Sequence, residues 1–164
     1  MILIRDYQPD DARETGRLIK NTYSDFNLSF LPLSKRGDFL GPFYYAESED
    51  PVHIQSIHSV ILSEIVLLAE NAGQIVGVLR GRIDRLGSLF VHGDFHHQGI
   101  GRSLVEEFES QIQSKRGLVI RVAATTYAVP FYLRMGYKKS TGIRNGSSFQ
   151  GHGLPIQPMK KIIS

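Results

Sequence analysis

Polar and apolar residues alternate at the start of the chain, and a helical spacing follows. Residues 1–7 alternate with a period of two, which predicts a half-buried β-strand. Pro9, Asp10 and Asp11 then offer a turn and an acidic helix start, and the apolar residues after them recur near one helical face. The pattern predicts a strand followed by a helix.

An irregular segment separates this helix from the next predicted elements. Residues 24–48 are rich in aromatic residues, proline and glycine and have no clear period, so we expect loops whose aromatic side chains mostly pack against the body. Residues 51–63 return to helical spacing. Residues 65–70 and 74–84 then predict the two strands of a hairpin around an Asn-Ala-Gly turn.

The second half of the chain predicts strands and helices in alternation. An amphipathic helix is predicted at residues 102–114, where apolar residues face one side and glutamates the other. A short helix at residues 130–135 is expected to end at Gly136, because glycine suits a left-handed helix cap. The remaining predicted elements are strands at 86–92, 118–123, 137–143 and 154–163, with loops at 145–146 and 151–153 between the last two.

Length and composition narrow the class of protein. At 164 residues the chain fits one domain that spans residues 1–164. It contains no cysteine, which excludes a disulfide scaffold, a thiol nucleophile and a cysteine-ligated metal site, and which suits a reducing, cytoplasmic location. The 19 basic and 16 acidic side chains are interspersed, so a nucleic-acid partner receives little support. We find no basic leader and no run of about 18 apolar residues, so we expect neither export nor a membrane partner.

A glycine-containing segment follows the predicted strand at 86–92 and opens the helix after it. In residues 98–103, QGIGRS, the glycines let backbone N–H groups turn toward an anion, and the helix amino terminus adds free donors and a positive dipole end. A pyrophosphate suits such a loop. A Walker loop is excluded because no Gly-Lys-Ser/Thr follows, and the dinucleotide fingerprint fails because Leu104 occupies its third glycine position. A simple tight turn is the alternative for a Gly-x-Gly pattern taken alone.

Two segments together resemble motifs of the GNAT superfamily of acyl-CoA-dependent N-acetyltransferases. Residues 89–101, LFVHGDFHHQGIG, are similar to the family's central motif, in which an apolar strand precedes Arg/Gln-x-x-Gly-x-Gly/Ala and a helix. Residues 128–137, AVPFYLRMGY, are similar to its Ala-x-x-Phe-Tyr-x-x-x-Gly-Phe segment, and residues 155–160 to the closing strand of one bacterial branch. With the element order, the resemblance covers nearly the whole chain. It implies an α/β fold of the α+β type, with a mixed, mostly antiparallel sheet of six to seven strands flanked by about four helices.

The resemblance implies acetyl-CoA as the acetyl donor and a site built on the central motif. The backbone of residues 89–91 would hold the pantetheine arm and polarise the thioester, and the loop at 97–103 would hold the pyrophosphate. Two residues depart from the family pattern, because His96 stands where the family usually has Arg or Gln, and Thr125 where it often has Asn. The expected coenzyme contacts are Leu89, Phe90, Val91, His96, His97, Gln98, Gly99, Ile100, Gly101, Arg102, Ser103 and Thr125, with solvent as the alternative for the Arg102 side chain.

The resemblance also implies direct transfer, in which an amine attacks the thioester carbonyl, a base or water takes the ammonium proton, and an acid protonates the thiolate. Tyr132 stands where the family commonly uses a tyrosine as the acid. The pKa of a phenol, about 10, is close to the pKa of an alkyl thiol, so a tyrosine can donate a proton to the leaving thiolate. Packing against the sulfur, or only hydrogen bonding to it, is the alternative. For the base we predict Glu64, with Asp84 and His92 considered beside it. Surface charges are the alternative for the two acids, and a loop cap is the alternative for the histidine.

Two arginines on one predicted strand bear on the acceptor. Arg80 and Arg82 share a face of the strand at 74–84, because side chains alternate with a period of two. They suggest binding of an acceptor with a carboxylate or phosphate, or of coenzyme phosphate, and a solvated, salt-bridged sheet face is the alternative. The resemblance places the acceptor cleft at residues 23–45 and the second predicted helix, and Tyr23 and Phe26 are candidate contacts. Small amines, amino acids and the amines of proteins all stay open as acceptors.

A cluster of histidines precedes the glycine loop and raises the question of a metal. His92, Asp94, His96 and His97 lie close together in the sequence. Zinc needs three or four converging ligands, and adjacent residues of a turn diverge unless the structure forces them together. We therefore predict that the cluster binds no metal. Instead, we expect these histidines to lie in loops around the coenzyme.

Together these features predict an N-acetyltransferase that moves an acetyl group from acetyl-CoA to a primary amine of a small molecule or peptide. The alternative is a non-catalytic acyl-CoA-binding sensor or interaction module of the same fold, and the presence of Tyr132 argues against it. The final strands could be edges that pair with a second chain, so a homodimer stays open.

Overall fold

A computed structural model describes residues 1–149 and 151–163 of the chain. Its strands are β1 (Ile2–Asp6), β2 (Ile65–Asn71), β3 (Gln74–Arg82), β4 (Arg85–Val91), β5 (Val119–Thr125), β6 (Lys138–Lys139), β7 (Arg144–Ser148) and β8 (Gly151–Ile162). Its helices are α1 (Ala12–Thr22), α2 (Leu33–Arg36), α3 (Pro51–Ile61), α4 (Ile100–Ser114) and α5 (Val129–Arg134). Of the helices in this described part of the chain, none is long and apolar enough to cross a membrane.

The strands form a single mixed sheet in which β4 and β5 are the parallel pair. The sheet runs in the order β1-β2-β3-β4-β5-β8-β6, and β7 pairs with β8 beside that path. Strands β4 and β5 pair over Arg85 with Arg121 and Leu86 with Val122, whereas the other neighbours are antiparallel. The predicted fold class is confirmed, since the sheet is mixed and mostly antiparallel and helices flank it.

Two hydrophobic cores cover the two faces of the sheet. On one face Phe108 of the amphipathic helix α4 packs over β2 and β3, where it meets Leu67. On the other face α1, α3 and the aromatic-rich residues 24–48 pack together, and Phe43 is fully buried there with Leu68. Leu67 and Leu68 enter different cores because successive side chains of a strand point to opposite faces. The sheet is therefore buried on both sides, which explains the nearly continuous apolar sequence of β2 and β3.

The structure differs from the sequence expectations mainly near the carboxyl end. The predicted strand at 137–143 shortens to β6, and the predicted loop at Asn145 and Gly146 lies in β7. These two residues pair with Pro155 and Leu154 of β8, so β8 turns an apparent turn dipeptide into a strand. The loop predicted at residues 151–153 likewise belongs to β8. In contrast, Gly136 follows α5 with a φ of 89°, which confirms the predicted left-handed cap.

We expect Gly81→Ala to destabilise the fold, because Gly81 lies where α4 crosses the sheet. An added Cβ would lie 2.6 Å from Cε2 of Phe108 and 2.7 Å from the carbonyl oxygen of Arg85. Overpacking of this kind costs about 1–3 kcal/mol of unfolding free energy, which urea titration measures. Gly142→Ala is the matched control, because a Cβ there meets no atom within 4 Å. Equal stability of the two variants would show that the Gly81 contact is not tight.

Candidate functional site

Two cavities meet where β4 and β5 separate. The larger has a volume of about 670 Å³ and the smaller about 270 Å³. Beyond their two paired residues the strands open, and residues of both strands line the smaller cavity. Five residues line both cavities and form the wall between them, namely Asn27, Leu89, Phe90, Ala128 and Tyr132.

The larger cavity collects most of the residues predicted to contact the coenzyme. It lies between β4, the glycine loop and α5. Of the predicted contacts, those that line it are Leu89, Phe90, Val91, His96, His97, Gly99, Ile100, Gly101 and Arg102. Gln98 and Ser103 lie outside the lining and make local bonds, to the carbonyls of Asp94 and Gly99. Thr125 lines the smaller cavity instead.

The glycine loop presents the amino terminus of α4 to the larger cavity. Gly99 is the residue before the helix and has a φ of 80°, a left-handed conformation that glycine adopts without steric cost. The first turn of a helix leaves backbone N–H groups without intrahelical partners, and the helix dipole is positive at this end. Gly101 also lets the start of α4 pack closely against α5, since a Cβ there would lie 3.3 Å from the ring of Phe131. A helix start of this kind can bind an anion.

His96 is held against the backbone of β4. Its Nε2 lies 2.7 Å from the carbonyl oxygen of Val91. Because a carbonyl only accepts, Nε2 carries the hydrogen and donates it. The ring also packs on Phe26, with 4.5 Å between ring centroids. This donor is therefore used within the protein, and the predicted contact between His96 and the coenzyme stays a prediction.

Tyr132 lies on the wall between the two cavities. It belongs to α5, is 4% exposed, and packs edge-on against Phe131 and Tyr137. Burial raises the pKa of its phenol, because a buried site disfavours the charged tyrosinate. In the part of the chain that the structure describes, no side chain or backbone group hydrogen-bonds its hydroxyl. The site therefore holds a neutral O–H group between two open spaces.

The smaller cavity has a mixed polar and apolar lining and contains one permanently charged side chain among its described lining residues. Aromatic walls come from Tyr23, Phe90 and Phe149, and Tyr23 meets each of the other two edge-on at 5.5 Å between centroids. The charged residue is Arg80, which contacts Ser88 at 3.1 Å between Nη1 and Oγ. Acidic side chains are absent from the described lining of both cavities.

A family model described as an acetyltransferase (GNAT) domain matches residues 50–163. The chain belongs to the GNAT acetyltransferase family. The family resemblance inferred from the glycine loop and the segment around Tyr132 is therefore confirmed. None of the curated proteins matches the chain in sequence.

Solved structures share the fold of this GNAT protein at low sequence identity. A GCN5-related N-acetyltransferase from Rhodopseudomonas palustris has a TM-score of 0.78 and 20% identity, covering 98% of this chain and 94% of its own. The PaiA N-acetyltransferase from Thermoplasma acidophilum, in complex with coenzyme A, has a TM-score of 0.74 and 18% identity, with 99% of each chain covered. An aminoglycoside 6′-N-acetyltransferase complexed with coenzyme A has a TM-score of 0.66 and 17% identity, covering 99% of this chain and 97% of its own.

The residues considered as the base lie outside both cavities of this GNAT protein. The carboxylate of Glu64 lies 3.7 Å from Nζ of Lys115, just past the carboxyl end of α4. Asp84 pairs with Arg82 at 3.2 Å on the exposed turn between β3 and β4. Nδ1 of His92 accepts a hydrogen bond from the backbone N–H of Asp94 and so caps its loop. The assignment of Glu64 as the base stays a prediction that this placement does not favour.

The predicted acceptor residues also separate in space. Arg80 and Tyr23 line the smaller cavity, whereas Phe26 lines the larger one beside His96. Arg82 lines neither cavity and is exposed. Within the described residues, no group of three His, Asp or Glu side chains is arranged to hold a metal ion.

The structure adds site residues that the sequence patterns did not indicate. Asn27 lines both cavities, and its Nδ2 donates to Oγ1 of Thr125 at 2.7 Å. It lies in the short π-helical turn that follows α1, far from Thr125 in the sequence. Ser88 lines the smaller cavity, and Arg134 lines the larger one. Local periodicity carries no signal for these residues, because each is positioned by a different element of the fold.

We expect the Tyr132 hydroxyl to stay protonated where an ordinary tyrosine ionises. At pH about 10 an ordinary phenol is half ionised, whereas burial raises the pKa of Tyr132 above that value. Tyrosinate absorbance at pH about 10 is therefore expected to be the same in the native wild-type protein and in Tyr132→Phe. Tyr127→Phe, which removes a half-exposed tyrosine, calibrates the signal of one accessible ring. A loss in Tyr132→Phe as large as that in Tyr127→Phe would contradict the expectation.

Proposed function

We propose that residues 1–164 form one N-acetyltransferase domain that moves the acetyl group of acetyl-CoA to a primary amine. The observation that carries the proposal is the neutral hydroxyl of Tyr132 on the wall between two cavities, one of which ends at an anion-binding helix terminus. The larger cavity is the donor side and the smaller cavity is the acceptor side. Transfer is direct, because both reactants reach the same wall.

The larger cavity suits the chemical parts of acyl-CoA. The start of α4, with Gly99 and Gly101, offers backbone donors to a pyrophosphate. The opened edge of β4 at residues 89–91 offers backbone donors and acceptors to the amides of a pantetheine arm. The coenzyme A complexes of the PaiA and aminoglycoside enzymes, which share this fold, support the same use here.

Tyr132 supplies the proton for the leaving group. When the amine nitrogen forms its bond to the acetyl carbon, the bond from carbon to sulfur breaks and the sulfur takes up negative charge. Desolvation raises the pKa of Tyr132 and acts in the same direction on a thiol in this wall, so the phenol stays protonated and can donate its proton to the thiolate. The backbone N–H groups at residues 89–91 stabilise the negative charge that develops on the carbonyl oxygen.

Water removes the proton from the amine in this proposal. The described lining of both cavities has no carboxylate that could take it directly. The acceptor therefore enters with its amine neutral or loses the proton to solvent in the smaller cavity. Glu64 is paired with Lys115 at the far end of α4 and lines neither cavity.

We expect acetyl-CoA to raise the melting temperature of the protein. At 100 times its Kd a ligand adds about 2.7 kcal/mol, which for a chain of this length shifts Tm by about 5–10 °C. Gly101→Val is expected to lose the shift, because the added side chain fills the space beside Phe131. Glu107→Val, on the exposed face of the same helix, controls for the β-branched residue. A full shift in Gly101→Val would remove the larger cavity as the coenzyme site.

We expect Tyr132→Phe to lower kcat by about 100-fold, the usual contribution of an acid catalyst, while KM for acetyl-CoA changes by no more than about twofold. Release of free thiol from acetyl-CoA across an amine library measures both, since the chain has no cysteine to add background. Unchanged kcat would show that Tyr132 only packs. A Tm shift without thiol release from any amine would favour the alternative, a non-catalytic acyl-CoA-binding module.

We expect kcat/KM to rise with pH along the ionisation of the acceptor ammonium, because no carboxylate of the cavities acts as base. Changing to an acceptor of lower amine pKa should move the profile down in pH by the same amount. Glu64→Gln is expected to leave the profile unchanged, since its partner is Lys115. If the midpoint of the pH profile of kcat/KM were the same for all acceptors, and if Glu64→Gln removed the pH dependence, Glu64 would be restored as the base.

A further inference from the structure

We infer that the acceptor is a small amine that also carries an anionic group, a carboxylate or a phosphate, and that Arg80 binds this group in the smaller cavity. The inference rests on the proposed acetyl transfer, because it names the acceptor of the same site. It starts from a partly buried cation that has no anionic partner among the described residues.

Arg80 lacks an acidic partner within the described residues. The ion pairs of the other arginines lie elsewhere, as in the pair of Arg82 with Asp84. Burial of the guanidinium lowers its pKa, which reports the cost of taking this charge out of water. Proteins usually pair a buried charge, since an unpaired one is destabilising. An anion from outside the chain is therefore the missing partner.

The hydrogen bonds of Arg80 leave donors for such an anion. Its Nε donates to the carbonyl of Ile61 at 2.8 Å, Nη2 donates to the carbonyl of Val60, and Nη1 donates to Oγ of Ser88 at 3.1 Å. A guanidinium has five N–H groups, so one remains on each terminal nitrogen. A planar pair of donors matches two oxygens of a carboxylate or phosphate. The bonds to α3 and β4 also hold the side chain in place before the ligand arrives.

Arg80 lies close enough to the reacting wall for one small molecule to reach both. It pairs across the sheet with Ser88, which precedes Phe90 of the shared wall by two residues. A strand rises about 3.3 Å per residue, so the two positions are about 7 Å apart along β4. The smaller cavity holds about 270 Å³. Its size and the spacing suit an amine and an acid joined by a short chain.

The positive charge of Arg80 in the smaller cavity disfavours an acceptor that carries several positive charges. An acceptor with several ammonium groups needs carboxylates around it, and none lies in the described lining. It would instead meet the fixed positive charge of Arg80. The aminoglycoside named for one structural neighbour is such a polycation, so this chain differs from that neighbour in acceptor class although it shares the fold.

The competing explanation is that Arg80 only caps α3. The carbonyls of Val60 and Ile61 belong to the last turn of that helix, and a cation there interacts favourably with the helix dipole. A cap acts in the folded protein whether or not an acceptor is present. It therefore affects stability and treats all acceptors alike, whereas an anion site distinguishes acceptors by their charge.

The experiment compares matched acceptors in the wild-type protein. Straight-chain ω-amino acids are assayed against n-alkylamines of the same length, and O-phosphoethanolamine against ethanolamine, by thiol release from acetyl-CoA. We expect kcat/KM to be about 10- to 100-fold higher for the anionic member of a pair, the effect of a charge-assisted hydrogen bond. The carboxylate and phosphate arms show which anion the site prefers. Equal kcat/KM within every pair would overturn the inference and leave acetyl transfer standing.

Variants then assign the preference to Arg80. Arg80→Met is expected to remove the anion preference by raising KM for the anionic acceptors alone, and Arg80→Lys to keep part of it. Arg82→Met is expected to keep the full preference, because that side chain is exposed on the β3–β4 turn. A loss of rate in Arg80→Met that is equal for both members of each pair would support the cap and overturn the anion site.

A binding measurement covers the case in which a variant is unstable or no amine is turned over. The melting temperature of the wild-type protein with saturating coenzyme A is measured with each acceptor pair. Stabilisation by the anionic member alone is the expected result, and equal stabilisation or none overturns the inference. Failure of the proposed function itself would be seen separately, as the absence of any shift with acetyl-CoA.

Discussion

Strands β4 and β5 run parallel and share two residue pairs before they separate. Beyond those pairs, the edges of β4 and β5 that face each other lack the strand partner that a sheet normally provides, and the backbone groups on these edges need another partner. The opening places the free edge of β4, the amino end of α4 and the side chain of Tyr132 around one space. In the proposed function, binding, polarisation and proton donation come together because this one pairing is short.

The described lining of the two cavities contains basic side chains and no acidic ones. The helix terminus at Gly99 is the positive end of a dipole at the larger cavity, and Arg80 is positive at the smaller cavity. Tyr132 between them is neutral, and its raised pKa keeps it so. In the proposed function, this arrangement suits reactants that carry negative charge toward both ends of the cleft.

Rigid contacts support this site from outside the cavities. The bonds of Arg80 join the last turn of α3 to β3 and β4, and the bond from Asn27 to Thr125 joins the turn after α1 to β5. The contact of Phe26 with His96 ties that same turn to the loop before α4. Three segments distant in the sequence thus hold the two sides of the cleft. Preorganised side chains of this kind lose little freedom when a ligand binds.

The sequence alone determined the elements whose hydrophobic period is regular and the loop whose glycines serve a local need. The strand at the start of the chain, the hairpin, the amphipathic helix α4 and the cap at Gly136 all follow from interactions between near neighbours. The family motif likewise located Tyr132 and Gly99 at the cleft.

Only the tertiary structure decided what lies opposite each residue. Period two places Arg80 and Arg82 on one face, but the end of α3 covers Arg80 and leaves Arg82 exposed. Asn145 and Gly146 have turn chemistry, yet β8 lies beside them and pairs them as a strand. Glu64 ends beside Lys115 because β2 starts at the edge where α4 ends. Side-chain alternation is a local property of the backbone, whereas the partner across a sheet or cavity depends on the packing of segments far apart in the chain.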